Sequence, residues 1–158
     1  MMVSSIVIED FVNYRKPGLF IGASSCDFKC CKEGGLPVSV CQNHNLAHSC
    51  RDIPTKELIK LFRTNPITEA IIFGGLEPFL QIYDIIDVVK ELRSIDDSDV
   101  VIYTGYYPDE VAKELDMLSS FPNIIVKFGR YLPGQTPHMD NVLGVELASD
   151  NQFAMKIS

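Results

Sequence analysis

The middle of the chain reads Ala70-Ile71-Ile72-Phe73-Gly74-Gly75-Leu76-Glu77-Pro78. Four consecutive apolar residues indicate a strand that is covered on both faces, as in a parallel sheet. Two glycines then turn the chain, and Pro78 is well placed in the first turn of a helix. The residues that recur at helical spacing in this helix are Ile82, Ile85, Ile86, Val89 and Leu92. The stretch therefore predicts a strand, a tight turn and a helix in succession.

The same kinds of pattern predict further strands and helices on either side. One apolar helical face begins at Thr55, and Pro108 opens another helix as Pro78 does. Strands that alternate with helices indicate parallel pairing through right-handed crossovers. The strands predicted in this way are residues 19–22, 70–73, 100–103 and 123–127, with two short ones at 142–145 and 153–157. Since no repeat or linker divides the chain, we predict a single α/β domain over residues 1–158.

A long segment at about 23–52 contains all five cysteines and shows no sustained helical or strand periodicity. Loops of that length in compact domains are usually functional or disordered, and a bound metal would order this one. The spacing Cys26-x3-Cys30-x10-Cys41 offers three thiolates, which can hold a four-iron cluster and leave one iron open. An odd number of clustered cysteines also fits metal or redox chemistry in a reducing compartment better than a disulfide framework.

The candidate motifs fall on one edge of the predicted sheet. In parallel sheets, the loops at the carboxyl ends of the strands carry the functional site. Here those loops are the cysteine segment, the turn at 74–78, Thr104-Gly105 and Gly129-Arg130. Their common position supports a site at this edge more strongly than any one motif does.

The charge and hydropathy of the chain indicate which partners and which location to expect. The formal net charge of -7 and the sequence pI of about 4.9 create a field that repels phosphate backbones and anionic lipid. We therefore expect neither nucleic acid nor membrane as a partner. No apolar run approaches the roughly 18 to 20 residues of a membrane helix, and residues 1–10 do not resemble a signal peptide. The expected location is the cytoplasm.

The chain resembles the radical S-adenosylmethionine superfamily and, within it, the small activating protein of anaerobic (class III) ribonucleotide reductase. Besides the cysteines, the resemblance rests on Ile102-Tyr103-Thr104-Gly105-Tyr106, Phe128-Gly129-Arg130-Tyr131 and Ala148-Ser149-Asp150-Asn151-Gln152. It covers most of the chain. Two features depart from the family pattern: the usual Cys-x3-Cys-x2-Cys is expanded by the insertion 31–40, and Leu76 interrupts the usual Gly-Gly-Glu-Pro.

The resemblance implies a small partial (open) β/α barrel of the radical S-adenosylmethionine type. It implies a [4Fe-4S] cluster on Cys26, Cys30 and Cys41, with no catalytic residue beyond the cluster. The cluster would cleave S-adenosylmethionine and generate a glycyl radical on a partner enzyme, the large subunit of anaerobic ribonucleotide reductase, with electrons from a low-potential donor. The residues implied to bind S-adenosylmethionine are Asn43, Gly74, Gly75, Glu77 and Thr104.

Other interpretations remain open from the residues alone. Cys31 could replace Cys30 or Cys41 as a ligand, although adjacent cysteines rarely reach two iron corners without strain. A zinc site could use the three spaced cysteines with either Cys50 or His44. The chain could also be a radical enzyme with another substrate, or a cluster-containing electron carrier or sensor.

Overall fold

A seven-stranded mixed sheet is the centre of the computed structural model, which describes residues 1–48 and 50–158. Ser49, within the predicted cluster loop, lies outside the described residues. In chain order the strands are β1 (Met2–Asp10), β2 (Gly18–Ala23), β3 (Arg51–Asp52), β4 (Ala70–Gly75), β5 (Asp99–Tyr103), β6 (Ile124–Phe128), β7 (His138–Asp140), β8 (Val145–Leu147) and β9 (Phe153–Lys156). The sheet order is β3-β1-β2-β4-β5-β6-β9, and β7 pairs with β8 separately.

The four central strands β2, β4, β5 and β6 run parallel to one another. The outer strands β1, β3 and β9 are antiparallel to their neighbours. The parallel pairing predicted from alternating strands and helices is therefore present, and the strands predicted at 19–22, 70–73, 100–103 and 123–127 are confirmed. The sheet is open, with β3 and β9 at its edges. The partial barrel implied by the resemblance stays a prediction.

Four α-helices are present in the described residues: α1 (Lys29–Glu33), α2 (Thr55–Thr64), α3 (Ile82–Arg93) and α4 (Ala112–Ser119). The helix α2 begins at the predicted residue. The turns Pro78–Gln81 and Pro108–Glu110 are short 3-10 helices that lead into α3 and α4. The predicted proline starts are thus confirmed, with a tighter first turn than an α-helix has, as is frequent at helix amino termini.

The core explains why the central strands are apolar without alternation. In β4, Ile71 and Phe73 are fully buried in the cluster that contains the apolar faces of α2 and α3. The neighbouring Ile72 faces the opposite side, where it is buried with Leu143 and Leu147 of the carboxyl-terminal segment. Both faces of the sheet are therefore covered, so each strand position needs an apolar residue.

Several features differ from the sequence-based expectations, including the unpredicted elements α1, β3 and β7. No strand was predicted at β1, because its polar and exposed residues hide the apolar pattern; Val7 and Ile8 are 45% and 49% exposed. The predicted strand at 142–145 is wrong except for its last residue. The Asp140 carboxylate accepts hydrogen bonds from the amides of Val142 and Leu143, which holds residues 141–144 in a turn. The strand predicted at 153–157 is confirmed as β9.

In residues 1–48 and 50–158, no helix is both long enough and apolar enough to span a bilayer.

Gly75→Ala should destabilise the protein more than Gly134→Ala. Both glycines have a left-handed φ, +83° and +79°, which costs an alanine about 1–2 kcal/mol. A Cβ at Gly75 would also lie 2.9 Å from the Cα of Gly22, whereas a Cβ at Gly134 meets nothing within 4 Å. We expect Gly75→Ala to lose a further ~1–3 kcal/mol of unfolding free energy. Urea denaturation of the reduced, cluster-free protein measures both losses, and equal losses would contradict the close packing of β2 and β4.

Candidate metal centre

A cavity of about 410 Å³ lies at the carboxyl ends of the parallel strands. Every site residue predicted from the sequence lines it: Cys26, Cys30, Cys41, Asn43, Gly74, Gly75, Glu77 and Thr104. A neighbouring cavity of about 380 Å³ shares the walls formed by Cys30 and Cys41 and extends toward Leu36 and Val40 of the insertion. The fold thus brings residues from four separate segments of the chain into one cleft.

The three spaced cysteines that line the cleft lie in different elements of the fold. Cys26 follows β2, and its sulfur accepts a hydrogen bond from the amide of Phe28 at 3.2 Å. Cys30 lies in α1, and Cys41 follows the 3-10 turn Val38–Val40. Cys31, the next residue of α1, is buried and lines only the neighbouring cavity. Successive helical residues point in different directions, so only one of this adjacent pair faces the other two cysteines across the larger cavity.

Burial favours the protonated thiols of Cys26 and Cys30 in the absence of metal. It raises the pKa of Cys26 to about 12, and the negative charges of Glu77 and Asp27 act in the same direction. Burial also raises the pKa of Cys30, while the positive charge of Lys127 opposes the rise. Because metals bind the thiolate, metal binding must release these protons and will strengthen as pH rises.

A single metal ion finds no ready site in the described part of the chain. There, no three His, Cys, Asp or Glu side chains lie close enough to hold one ion, so the alternative zinc site is not preformed. His44, one of its candidate ligands, instead has its Nδ1 2.8 Å from the carbonyl oxygen of Cys41. A four-iron cluster attaches each thiolate to a different iron and requires wider spacing than one ion does.

Glu77 joins three strand ends. Its Oε1 accepts hydrogen bonds from the Thr104 hydroxyl at 2.7 Å and the Phe79 amide at 3.1 Å. Its Oε2 accepts one from the amide of Gly105 at 2.9 Å, and its own amide donates to the Ser25 carbonyl at 2.8 Å. The side chain is only 5% exposed, and burial raises its pKa to about 7. The carboxylate therefore acts within the protein, linking the loops after β4 and β5, while the main-chain amide of Glu77 links the loop after β2.

Thr104 is also engaged with the protein. Its hydroxyl donates its only proton to Glu77 and accepts a hydrogen bond from the amide of Tyr106 at 3.0 Å. The side chain is 3% exposed. Its predicted contact with S-adenosylmethionine stays a prediction, and the observed contacts assign it to the support of the Glu77 loop.

The glycine turn and Asn43 are in direct contact. The Asn43 amide donates to the Gly75 carbonyl at 2.6 Å, which connects the end of the cysteine segment to β4. A Cβ at Gly74 would lie 2.7 Å from the ring of Phe20, so a larger residue would displace that ring. These positions are consistent with a turn that lies close to the cysteines and leaves the cleft open.

The sequence did not predict Lys127 in the cleft, nor the close approach of Gly105 to Cys30, although Gly105 lies in a loop expected at this edge. Lys127, on β6, is 6% exposed and lines both cavities, and its ammonium donates to the Gly129 carbonyl at 2.9 Å. Burial lowers its pKa to about 8, although the charges of Cys30 and Glu77 oppose this. A Cβ at Gly105 would lie 2.9 Å from the Cys30 sulfur, so this glycine leaves room beside the thiol. The sequence signal for Lys127 is a lysine within an otherwise apolar strand. No sequence pattern indicates that Gly105 lies beside Cys30.

The donor set fits an iron-sulfur cluster. Three soft sulfur donors line one cavity, and the carboxylate beside them is already satisfied by hydrogen bonds. Thiolates are the ligands that hold such clusters. Together with the sheet, these features define an iron-sulfur protein of mixed α/β fold.

Comparison with known families agrees with this class. The model of the family described as "4Fe-4S single cluster domain" matches residues 18–146, so the chain belongs to that family and a [4Fe-4S] cluster is its cofactor. The matched range includes all three spaced cysteines and the four parallel strands. No curated protein and no solved structure matches the chain.

The free energy of unfolding should fall as pH rises because Glu77 ionises more readily in the unfolded chain than in the folded protein. Glu77→Gln should abolish this fall. Because the folded pKa of about 7 exceeds the ordinary value of 4.5, the folded chain binds this proton more tightly than the unfolded chain. Its contribution to the free energy of unfolding is complete below pH 4.5 and is lost as pH rises toward 7, by about 3 kcal/mol in total. Glu77→Gln should therefore gain stability relative to the wild type across this window.

The measurement is urea denaturation of the cluster-free protein at several pH values. Exposed Glu69→Gln is the control, and its difference from the wild type should stay nearly constant. A pH-independent difference for Glu77→Gln as well would show that the carboxyl is not held in a raised-pKa environment.

Proposed function

We propose that the protein is a radical S-adenosylmethionine enzyme that generates a glycyl radical on a partner enzyme, the large subunit of anaerobic ribonucleotide reductase. The supporting observation is the shared cleft, in which the three spaced cysteines face the glycine turn after β4. A cluster held by Cys26, Cys30 and Cys41 would have one iron without a protein ligand. S-adenosylmethionine would lie beside that iron, against Gly74, Gly75 and Asn43.

The residues of the chain bind and orient in this proposal, and the cofactor supplies the chemistry. When bound, the reduced cluster supplies one electron that breaks the sulfonium bond, yielding methionine and a 5'-deoxyadenosyl radical that takes a hydrogen atom from the glycine Cα. Glu77 and Thr104 hold the ends of β4 and β5 in register around the ligand. Lys127 provides positive charge beside Cys30, which favours the thiolate form.

We also propose an electron donor, a fold type and a cellular location for the protein. The electron comes from a low-potential donor, and neither nucleic acid nor membrane takes part. The open sheet is proposed to be the partial barrel of the radical S-adenosylmethionine type, whose exposed edge admits a glycine loop of another chain. All five cysteines are free thiols, which suits the reducing cytoplasm.

An electron carrier is the second candidate function. The family match identifies a single-cluster domain, and a cluster with this surrounding could pass electrons without binding a substrate. Such a protein would be brown and would leave S-adenosylmethionine intact.

S-adenosylmethionine cleavage should depend on the three spaced cysteines. After anaerobic reconstitution and addition of dithionite and S-adenosylmethionine, we expect 5'-deoxyadenosine and methionine, quantified by chromatography. The variants Cys26→Ser, Cys30→Ser and Cys41→Ser should each form 5'-deoxyadenosine and methionine only at background level. The reason is that the cluster lacks one of its thiolate ligands in each variant. The controls are exposed Cys50→Ser and buried Cys31→Ala, which should retain the products.

The outcomes separate the candidate functions. A brown protein that forms neither product would support the electron carrier, and a colourless protein with stoichiometric zinc would refute the cluster assignment for the isolated chain. Retained cleavage in Cys41→Ser with loss in Cys31→Ala would reassign the ligands. If cleavage occurs but the partner reductase shows no glycyl radical by electron paramagnetic resonance, the partner assignment fails.

A further inference from the structure

Arg130 is buried at the rim of the site although it carries a permanent charge. It follows β6 and is 4% exposed. Its Nη1 donates to the Gly105 carbonyl at 3.1 Å and to Glu110 at 2.7 Å. Its Nη2 donates to Glu110 at 2.6 Å and to Glu33 at 3.0 Å, and its Nε lies 2.6 Å from Glu33. The guanidinium also lies 4.9 Å from the ring centre of Tyr107.

These contacts connect elements that are distant in the chain. Glu33 is the last residue of α1, the helix that contains Cys30. Glu110 ends the 3-10 turn after β5, and its carboxylate also pairs with Lys29 at the start of α1. Both ends of α1 are therefore linked to the loop after β5, one directly through Lys29 and Glu110 and the other through Arg130.

Besides these ionic contacts, the start of α1 is held by the Asp27 carboxylate, which accepts hydrogen bonds from the Lys29 amide at 3.1 Å and the Tyr106 hydroxyl at 2.8 Å. The helix has five residues, and an isolated helix of that length is not stable in water. It begins at Phe28 in a left-handed conformation without a side-chain cap, and Cys31 is its only buried residue. Ionic contacts thus provide much of the attachment that apolar packing provides for α2 and α3.

We propose that Arg130 is a positioning residue for the cluster: it holds α1 against the loop after β5 and so fixes where Cys30 presents its sulfur. Gly105 is the point of contact, because its carbonyl accepts from Arg130 while its Cα side faces the Cys30 sulfur. Arg130 lines neither cavity, so its contacts position α1 from outside the cleft, and its positive charge also opposes the rise in the pKa of Cys30. The inference rests on the proposed role of Cys30 as a cluster ligand, and it does not require S-adenosylmethionine chemistry.

The planar guanidinium is essential to this role. It contacts two carboxylates and a carbonyl oxygen at once, with Glu110 held in a two-point fork. A lysine would keep the charge but could not reproduce the fork. Arg130→Lys should therefore restore the positioning only in part.

The first test measures the attachment of α1 without any cluster. Backbone hydrogen exchange of the cluster-free protein should be roughly 10-fold faster at residues 31–36 in Arg130→Gln, as expected when a local segment opens more readily. Glu33→Gln, whose side chain is 49% exposed, should act in the same direction. Arg93→Gln is the matched control, because Arg93 is a largely buried arginine that bonds the Pro122 and Ser98 carbonyls away from α1.

The second test measures the cluster itself. After reconstitution, Arg130→Gln should lose iron to a chelator about 10–100-fold faster than the wild type, with a changed electron paramagnetic resonance spectrum of the reduced state, as for other residues that orient metal ligands. Arg130→Lys should be intermediate, and Arg93→Gln should match the wild type. Unchanged exchange in α1, or equal iron loss in Arg93→Gln, would overturn the proposal.

The results of these two tests can be distinguished from the result of the S-adenosylmethionine cleavage assay. Faster exchange and iron loss in a protein that does not cleave S-adenosylmethionine would support the positioning role and refute the radical enzyme. If Arg130→Gln fails to fold, Glu33→Gln decides the question, since it removes one charge and leaves Glu110 bound to Arg130.

Discussion

The cleft depends on one buried carboxylate. Glu77 accepts three hydrogen bonds from the loop after β5 and the turn after β4, while its amide is bonded to Ser25 at the end of β2. Burying a charged or polar group without partners is costly, so these donors must stay in place for the carboxyl to remain buried. The side chain thus connects the ends of β4 and β5, and the main-chain amide of the same residue adds the end of β2, so one residue holds three walls of the site.

Charge is distributed unevenly over the molecule. The chain has a formal net charge of -7, yet Lys127 and Arg130 are both almost fully buried at the carboxyl edge of the sheet. Lys127 lies within the cleft and counters the negative charge of the thiolate at Cys30. Arg130 lies outside it and neutralises the carboxylates of Glu33 and Glu110. Both positive charges favour the thiolate form of Cys30, and Arg130 in addition holds the helix that contains it.

The cysteine segment is attached to the sheet at two separate places. Its first part is tied through Arg130 and α1, and its last part through the hydrogen bond from Asn43 to Gly75. The part of the insertion after Glu33 lies between these attachments and forms a wall of the neighbouring cavity, to which Leu36 and Val40 contribute. An insertion between two ligands is tolerated in this arrangement because each ligand is positioned by its own contacts with the sheet.

The sequence alone determined the central strands, the helices α2, α3 and α4, and the edge of the sheet at which the candidate site lies. Strands buried on both faces need continuous apolar residues, and helices need apolar residues at helical spacing, so these local patterns can be read directly. The tertiary structure decided the position of β1, the turn held by Asp140, and the contacts of Gly105, Lys127 and Arg130. Each of these depends on atoms from distant parts of the chain, and no periodic pattern along a sequence records which distant groups will meet.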